Sequence, residues 1–185
     1  MPELATVIRG VGVVNAAGRR SADLGIAGDG RIAAVAAPGS LDGAVVLDAD
    51  GLLALPGGVD LHVHLNTFFG GTTTRDDFHS GTAAALHGGT TTIAQFAIPR
   101  PGETSAEAAT RTLQEAGADA VADYAVHGCV VRETYEESLE ELPGLAARGI
   151  GTVKVFSAYT DQIGLSLDRI GRLLERAAKA GITVF

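Results

Sequence analysis

At 185 residues and 46% hydrophobic side chains, the chain is long enough for a sizeable core and too apolar for a disordered segment. Its 22 acidic against 14 basic residues leave a net charge of −8, with no basic cluster for nucleic acid or an anionic membrane to bind. A single cysteine, Cys129, excludes an internal disulfide and fits a reducing cytosol; the start lacks a signal-peptide pattern, and no stretch reaches the ~20 apolar residues of a membrane helix.

Before Gly57 the sequence reads as short strands with no convincing helix. "TVIRGVGVVN" is rich in valine, and "DLGIAGDGRIAAVAA" holds two apolar runs around Gly28-Asp29-Gly30, a hairpin signal. "AVVLDADGLLALPGG" continues the pattern. The rhythm then changes to alternation. "GVDLHVHL" is a strand, and "RDDFHSGTAAALHGG" a helix opened by an aspartate cap and closed by Gly88-Gly89. "TTTIAQFAI" is a β-branched strand, followed by a helix that begins with a capping box from Thr104 to Glu107. "AVADYAVHGCVV" is the next strand. A box from Thr134 to Glu137 starts another helix, which Pro143 should kink or split. "GTVKVFSAY" is a strand, and the helix of "SLDRIGRLLERAAKAG" lines up Leu167, Ile170, Leu173, Leu174 and Ala177 on one face. "ITVF" begins a further strand.

Four β-α units and the start of a fifth strand imply a parallel sheet with right-handed crossovers. A closed barrel needs eight such units and about 250 residues. An open doubly wound sheet fits the alternation equally, but no strand-helix junction carries G-x-G-x-x-G or a P-loop.

Chemistry concentrates at two places. His62 and His64 stand at i and i+2 of one strand, so their side chains share a face, and Asp60 starts the same row. Histidine is the commonest metal ligand, although H-x-H alone is more often structural. Lys154 lies inside a β-branched apolar strand, where an unpaired ammonium is costly unless its stem reaches water.

"PGGVDLHVHL", "GTAAALHGGTTTI" and "TVKVFSAY", in order and with matching spacing, resemble the cyclic-amide amidohydrolases: the dihydropyrimidinases and hydantoinases. The resemblance runs from about residue 45 to the end. It implies an α/β fold: a partial (β/α)8 TIM barrel over residues 56–185, comprising four β-α units and the start of strand 5. Residues 1–55 would form the N-terminal part of a small β-sandwich domain. His62 and His64 would bind the more buried of two divalent metal ions, usually zinc. Lys154, carboxylated by CO2, would bridge both ions. A hydroxide held between metals about 3.5–4 Å apart would attack the ring carbonyl. Tyr159 would donate a hydrogen bond to the developing oxyanion.

The expected reaction is opening of the cyclic amide bond of a dihydropyrimidine or hydantoin, in pyrimidine catabolism. The partner is a small cyclic ureide; no nucleic acid or membrane is expected, and the intact parent would be a cytoplasmic tetramer. Dihydroorotases place an arginine two residues after the second histidine to clamp a carboxylate; here that position is Asn66. Leu65, Phe68 and Phe69 offer apolar pocket walls instead, or else core packing beneath a loop that Gly70 and Gly71 let bend. His79 and His87 belong on the first barrel helix, His127 in the third strand as a packed core histidine, and Cys129 as a small buried hydrophobe. Gln95 takes a position where relatives often carry an acid. The family's later ligands, two histidines and a proton-shuttling aspartate, would follow Phe185, so the chain reads as a fragment, inactive alone. Another cyclic amidohydrolase, such as an allantoinase or a dihydroorotase-like enzyme, and a non-catalytic scaffold relative are the alternatives.

Overall fold

A computed structural model describes residues 3–185, except for the side chain of Phe69. The chain divides into two compact units, Met1–Pro56 and Gly57–Phe185.

The first unit is a five-stranded sheet. β1 (Leu4–Asn15) pairs antiparallel with β2 (Gly18–Ala27), which pairs antiparallel with β3 (Ile32–Ala36) across the Gly28-Asp29-Gly30 turn. β4 (Val45–Asp48) and β5 (Leu53–Ala54) both run parallel to β1. The β1–β2 ladder slips between Ile8 and Val11, and Gly10 supplies the positive φ of +70° that the irregularity needs. The slip frees the Gly10 N–H, which donates to Asp23 Oδ1 at 2.9 Å. The other carboxylate oxygen accepts from Leu41 N–H at 3.2 Å, tying the loop before β4 to the sheet.

Asp23 is fully buried. Burial pushes its pKa up, but the N–H donors of Gly10 and Leu41, with those of Gly39 and Ser40, outweigh this and hold it below the ordinary 3.8. A depressed carboxyl pKa contributes stability that is present above pH 3.8 and lost as pH falls through the lower folded value. Asp23→Asn turns an NH2 group toward one of these donors. We expect the variant to unfold at lower urea concentration at pH 7, and its midpoint to change less than that of the wild type on acidification below pH 4. Parallel acid dependences in the two proteins would contradict this.

The second unit is mixed α/β. β6 (Gly58–Val63) is followed by a small hairpin of β7 (Phe68–Phe69) and β8 (Thr72–Thr73). Then come α1 (Phe78–His87), β9 (Thr90–Ala97), α2 (Ser105–Asp119), β10 (Asp123–Cys129), α3 (Tyr135–Ala147), β11 (Thr152–Lys154), α4 (Leu167–Ala180) and β12 (Thr183–Val184). The parallel sheet has the order β6-β9-β10-β11-β12, so spatial order follows chain order with one helix in each crossover. Strand residues Ala97, Val126 and Val153, with Val130 just after β10, meet Ala108, Leu139, Leu142, Leu145 and Leu173 from the helices in a single core. Among the described residues no helix is long and apolar enough to cross a membrane.

Asp77 and Thr104 cap α1 and α2 through reciprocal boxes with Ser80 and Glu107. Three expectations fail in detail. Thr134 makes no side-chain cap; its hydroxyl instead donates to the Glu103 carbonyl at 2.8 Å. Pro143 does not split α3, which runs unbroken from Tyr135 to Ala147 with the proline exposed. On α4, Leu173 and Ala177 are buried and Ile170 partly so, whereas Leu167 and Leu174 lie at 82% and 49% exposure. The apolar stripe is wider than the face that meets the sheet.

Candidate metal and substrate site

The regular part of β6 ends at Val63, and β11 ends at Lys154, so His64 and Lys154 emerge at the same end of the parallel sheet. Ligand sites in parallel α/β sheets lie at that carboxyl end, where the loops leave the strands. The ring of Phe96, near the end of β9, is the hub. His62 packs edge-on against it at 4.8 Å between centroids, and His64 stacks on it at 5.4 Å. The two imidazoles are 5.2 Å apart. Lys154 Nζ lies 4.4 Å from the centre of the same ring and 5.2 Å from that of Phe156.

Partial burial, then the nearby charges of His62 and Lys154, hold the His64 pKa below its ordinary value. The neutral imidazole, the form that binds metals, is thereby favoured. Asp60 does not join the imidazoles as a donor: its Oδ1 accepts the His62 backbone N–H at 3.0 Å.

A cavity of about 370 Å3 opens over this cluster, lined by His64, Lys154 and Tyr159 together with Thr67, Thr72, Thr74, Ile98 and Phe156. Tyr159 sits in a left-handed conformation, φ 56°, unusual for a residue with a side chain. Its carbonyl accepts from Gln162 and Gly164 N–H at 2.9 and 2.8 Å. A Cβ on Gly164 would lie 2.1 Å from the Ala158 carbonyl oxygen, so only glycine closes this turn. Arg132 adds two donors, to the carbonyls of Thr160 at 2.6 Å and Asp161 at 2.8 Å.

The structure thus gathers His62, His64, Lys154 and Tyr159. Leu65 and Phe68 line a neighbouring cavity of about 170 Å3 with Asn66 and Gln95, not the one bearing Lys154. Phe68 is 66% exposed, and the side chain of Phe69 lies outside the described residues. Gly70 and Gly71, both at positive φ, form the turn of the β7–β8 hairpin, which turns Thr72 toward the larger cavity. Ile98 and Phe156 were not anticipated as lining. The period-two rule could have found both, since Phe96 and Ile98, like Lys154 and Phe156, are two residues apart at strand ends. His127 is buried, stacked on Phe96 at 4.8 Å. His79 and His87 are exposed on α1. Cys129 is buried beside Lys154 in the β10–β11 register, and burial pushes its thiol up to about 12.

Among the described residues no three His, Cys, Asp or Glu side chains converge. The available donors are two imidazoles, which suit a divalent ion such as zinc, and an amine. As an ammonium, Lys154 would repel a cation. As a carbamate it would complete a set of two neutral nitrogens and one anionic oxygen group. The residues present therefore fit a divalent metal when Lys154 carries CO2.

Comparison with known proteins gives this arrangement its family. The model of the amidohydrolase family matches residues 53–184. The chain belongs to the amidohydrolase family. It is 41% identical over 157 residues to a D-hydantoinase of Geobacillus stearothermophilus, covering 84% of this chain and 33% of that one. It is 39% identical over 166 residues to a dihydropyrimidinase of Rattus norvegicus, covering 86% and 32%. A solved structure of a D-hydantoinase superposes with a TM-score of 0.90 at 34% identity, over 98% of this chain and 39% of that one. This amidohydrolase chain thus spans about a third of the length of the curated relatives it matches, and its parallel sheet is the curled half-barrel sheet of hydantoinase structures.

Proposed function

We propose that this amidohydrolase chain carries part of the catalytic centre of a hydrolase that opens the cyclic amide bond of dihydropyrimidines or hydantoins. The observation that carries the reading is the meeting of two imidazoles and Lys154 around one aromatic ring, beneath a cavity that also bears Tyr159. Among the described residues no carboxylate pairs with Lys154, and its amine lies over the rings of Phe96 and Phe156. Carboxylation gives this position the opposite charge: the ammonium loses one proton to water, the neutral amine nitrogen forms a bond to the carbon of CO2, and that nitrogen gives up a second proton to water, leaving an anionic carbamate.

In this reading residues 56–185 are the N-terminal half of a (β/α)8 barrel and residues 1–55 part of a small β-sandwich. The family implies a pair of divalent ions; we assign zinc, which His62, His64 and a carbamate on Lys154 would hold. When bound, such a pair supplies Lewis acidity toward the ring carbonyl and acidifies water. The chain's own residues do the rest. Tyr159, fixed by its turn, donates a hydrogen bond to the carbonyl oxygen as negative charge develops there. Ile98 and Phe156, with Thr67, Thr72 and Thr74 beside them, exclude water and accept an uncharged ring with an apolar substituent. Asn66 lines the other cavity and is held at φ 46°, with its N–H on the Asp76 carbonyl at 2.8 Å, so the position two residues after His64 offers no cation for a substrate carboxylate. The complete enzyme is a cytoplasmic homotetramer in this reading.

The test is a panel of dihydrouracil, a 5-substituted hydantoin, allantoin and dihydroorotate, offered to the zinc-loaded complete protein. Ring opening of the first two supports the proposal. Opening of allantoin or dihydroorotate alone assigns a sister activity, and no hydrolysis of any member points to the scaffold reading.

A further inference from the structure

We propose that Gln95 and His127 are positioning residues that hold the backbone on both sides of the His62-Val63-His64 segment. Their geometry stands by itself; the consequence for metal binding rests on the reading of His62 and His64 as metal donors.

The need arises in the sheet. The ladder between β6 and β9 loses its register between Asp60 and Val63, so regular pairing lapses where the first imidazole leaves the strand. Side chains serve the backbone there instead. The Leu61 carbonyl, just before His62, accepts from His127 Nε2 at 3.1 Å. Just after His64, the Leu65 N–H donates to Gln95 Oε1 at 2.9 Å, and the Leu65 carbonyl accepts from Gln95 Nε2 at 3.0 Å. The same Nε2 donates to Thr67 Oγ1 at 2.9 Å, so both amide hydrogens and the amide oxygen are used.

Both side chains are buried, Gln95 at 3% exposure and His127 at 5%. A buried polar side chain costs stability unless its bonds are made, and here they go to the chain flanking the two histidines. Glutamine suits this place for a stated reason. A carboxylate at position 95 could take the Leu65 N–H but has no hydrogen for the Leu65 carbonyl. The His127 tautomer follows from its partners. A carbonyl accepts only, so Nε2 carries the hydrogen, and Nδ1 accepts from Thr152 Oγ1 at 2.5 Å. Thr152 on β11, through His127 on β10, thus fixes β6 at Leu61. Partners that hydrogen-bond a metal-binding side chain directly are worth about 10–100-fold in metal affinity, and a clamp on the adjoining backbone is expected to act within that range.

The test uses the full 185-residue chain, 15N-labelled, with zinc ion as the probe, and the variants Gln95→Met, Gln95→Glu and Thr152→Val. In the wild type, the imidazole 15N spectrum should show His127 neutral with its proton on Nε2. Gln95→Met should speed Leu65 amide exchange at least about tenfold while Ile93 and Val126 stay protected, and Gln95→Glu should largely keep that protection. Thr152→Val removes one hydroxyl and should mix the His127 tautomers. Zinc-induced shifts of the His62 and His64 rings should need about 10–100-fold more zinc in Gln95→Met and Thr152→Val. An Nδ1–H tautomer in the wild type overturns the proposal, as does wild-type Leu65 exchange in Gln95→Met. Unchanged zinc response in both variants overturns it too. Should Gln95→Met lose Ile93 and Val126 protection, Thr152→Val and the wild-type tautomer decide. If wild-type His62 and His64 ignore zinc, the metal reading fails by itself, and the clamp is judged on Leu65 exchange and the tautomer.

Discussion

Lys154→Ala in the zinc-loaded complete protein is expected to reduce ring opening to background while leaving the fold intact. The side chain sits at the end of a three-residue strand, half-buried, with its amine against the faces of Phe96 and Phe156. Truncation removes those contacts but breaks no ion pair, so the stability loss should stay near 1 kcal/mol, the scale of a cation–π contact. In the proposed centre the carbamate on Lys154 would hold the metal ions, so its loss is expected to be far more damaging to the chemistry. Intact-mass measurement under non-denaturing conditions should find the wild type heavier by one CO2, a mass that disappears on acidification and is absent from Lys154→Ala. Metal analysis should show fewer ions per chain in the variant. Full hydrolysis by Lys154→Ala, or a wild type whose lysine never carries CO2, would remove the carbamate from the proposed centre. Lys154→Arg is the companion variant. It keeps a cation over the rings but cannot be carboxylated in the same way, so it should behave like the alanine variant in activity and like the wild type in stability.

The largest stability effect should come from Leu173→Ala. Leu173 is fully buried where α4 meets the sheet, in the core shared with Leu142, Leu145 and Val153. Truncating such a side chain costs about 2–5 kcal/mol, because the transfer free energy is lost and the cavity collapses only in part. That is a large share of the about 5–15 kcal/mol that domains possess. Leu173 and Ala177 are the buried residues of α4. Leu167→Ala is the control on the same helix. At 82% exposure it should change stability by less than about 0.5 kcal/mol. Urea unfolding followed by circular dichroism compares the two. Equal midpoints for both variants would mean that α4 packs by a different face.

How much of the site could be read beforehand divides along a physical line. The i, i+2 spacing of His62 and His64 forces both imidazoles to one side of a strand, whatever the rest of the fold does. The motif resemblance paired them with Lys154 and Tyr159, and the structure brings all four to one end of the sheet. The sides of the cavity were less legible. Leu65 and Phe68 follow His64 closely in sequence, yet a single left-handed residue, Asn66, and the β7–β8 hairpin carry them to the other cavity. A loop that reverses once can exchange its inner and outer sides, and no periodicity records the reversal. The Thr134 box misled for a similar reason. Local spacing offered a cap, but the Glu103 carbonyl, distant in sequence, lies close enough in space to take the hydroxyl.

By itself, then, the sequence determined the alternation of strands and helices, the aspartate and threonine caps of α1 and α2, and the pair of imidazoles on one strand face. These depend on backbone periodicity and on contacts within a few residues. Tertiary structure alone decided that Phe96 would be the ring on which His62, His64 and Lys154 meet, that Leu173 rather than Leu167 would anchor α4, and that Gln95 and His127 would hold the chain beside the two histidines. Each of those choices depends on which strands become neighbours, and side chains far apart in the chain share a place only after the sheet has formed.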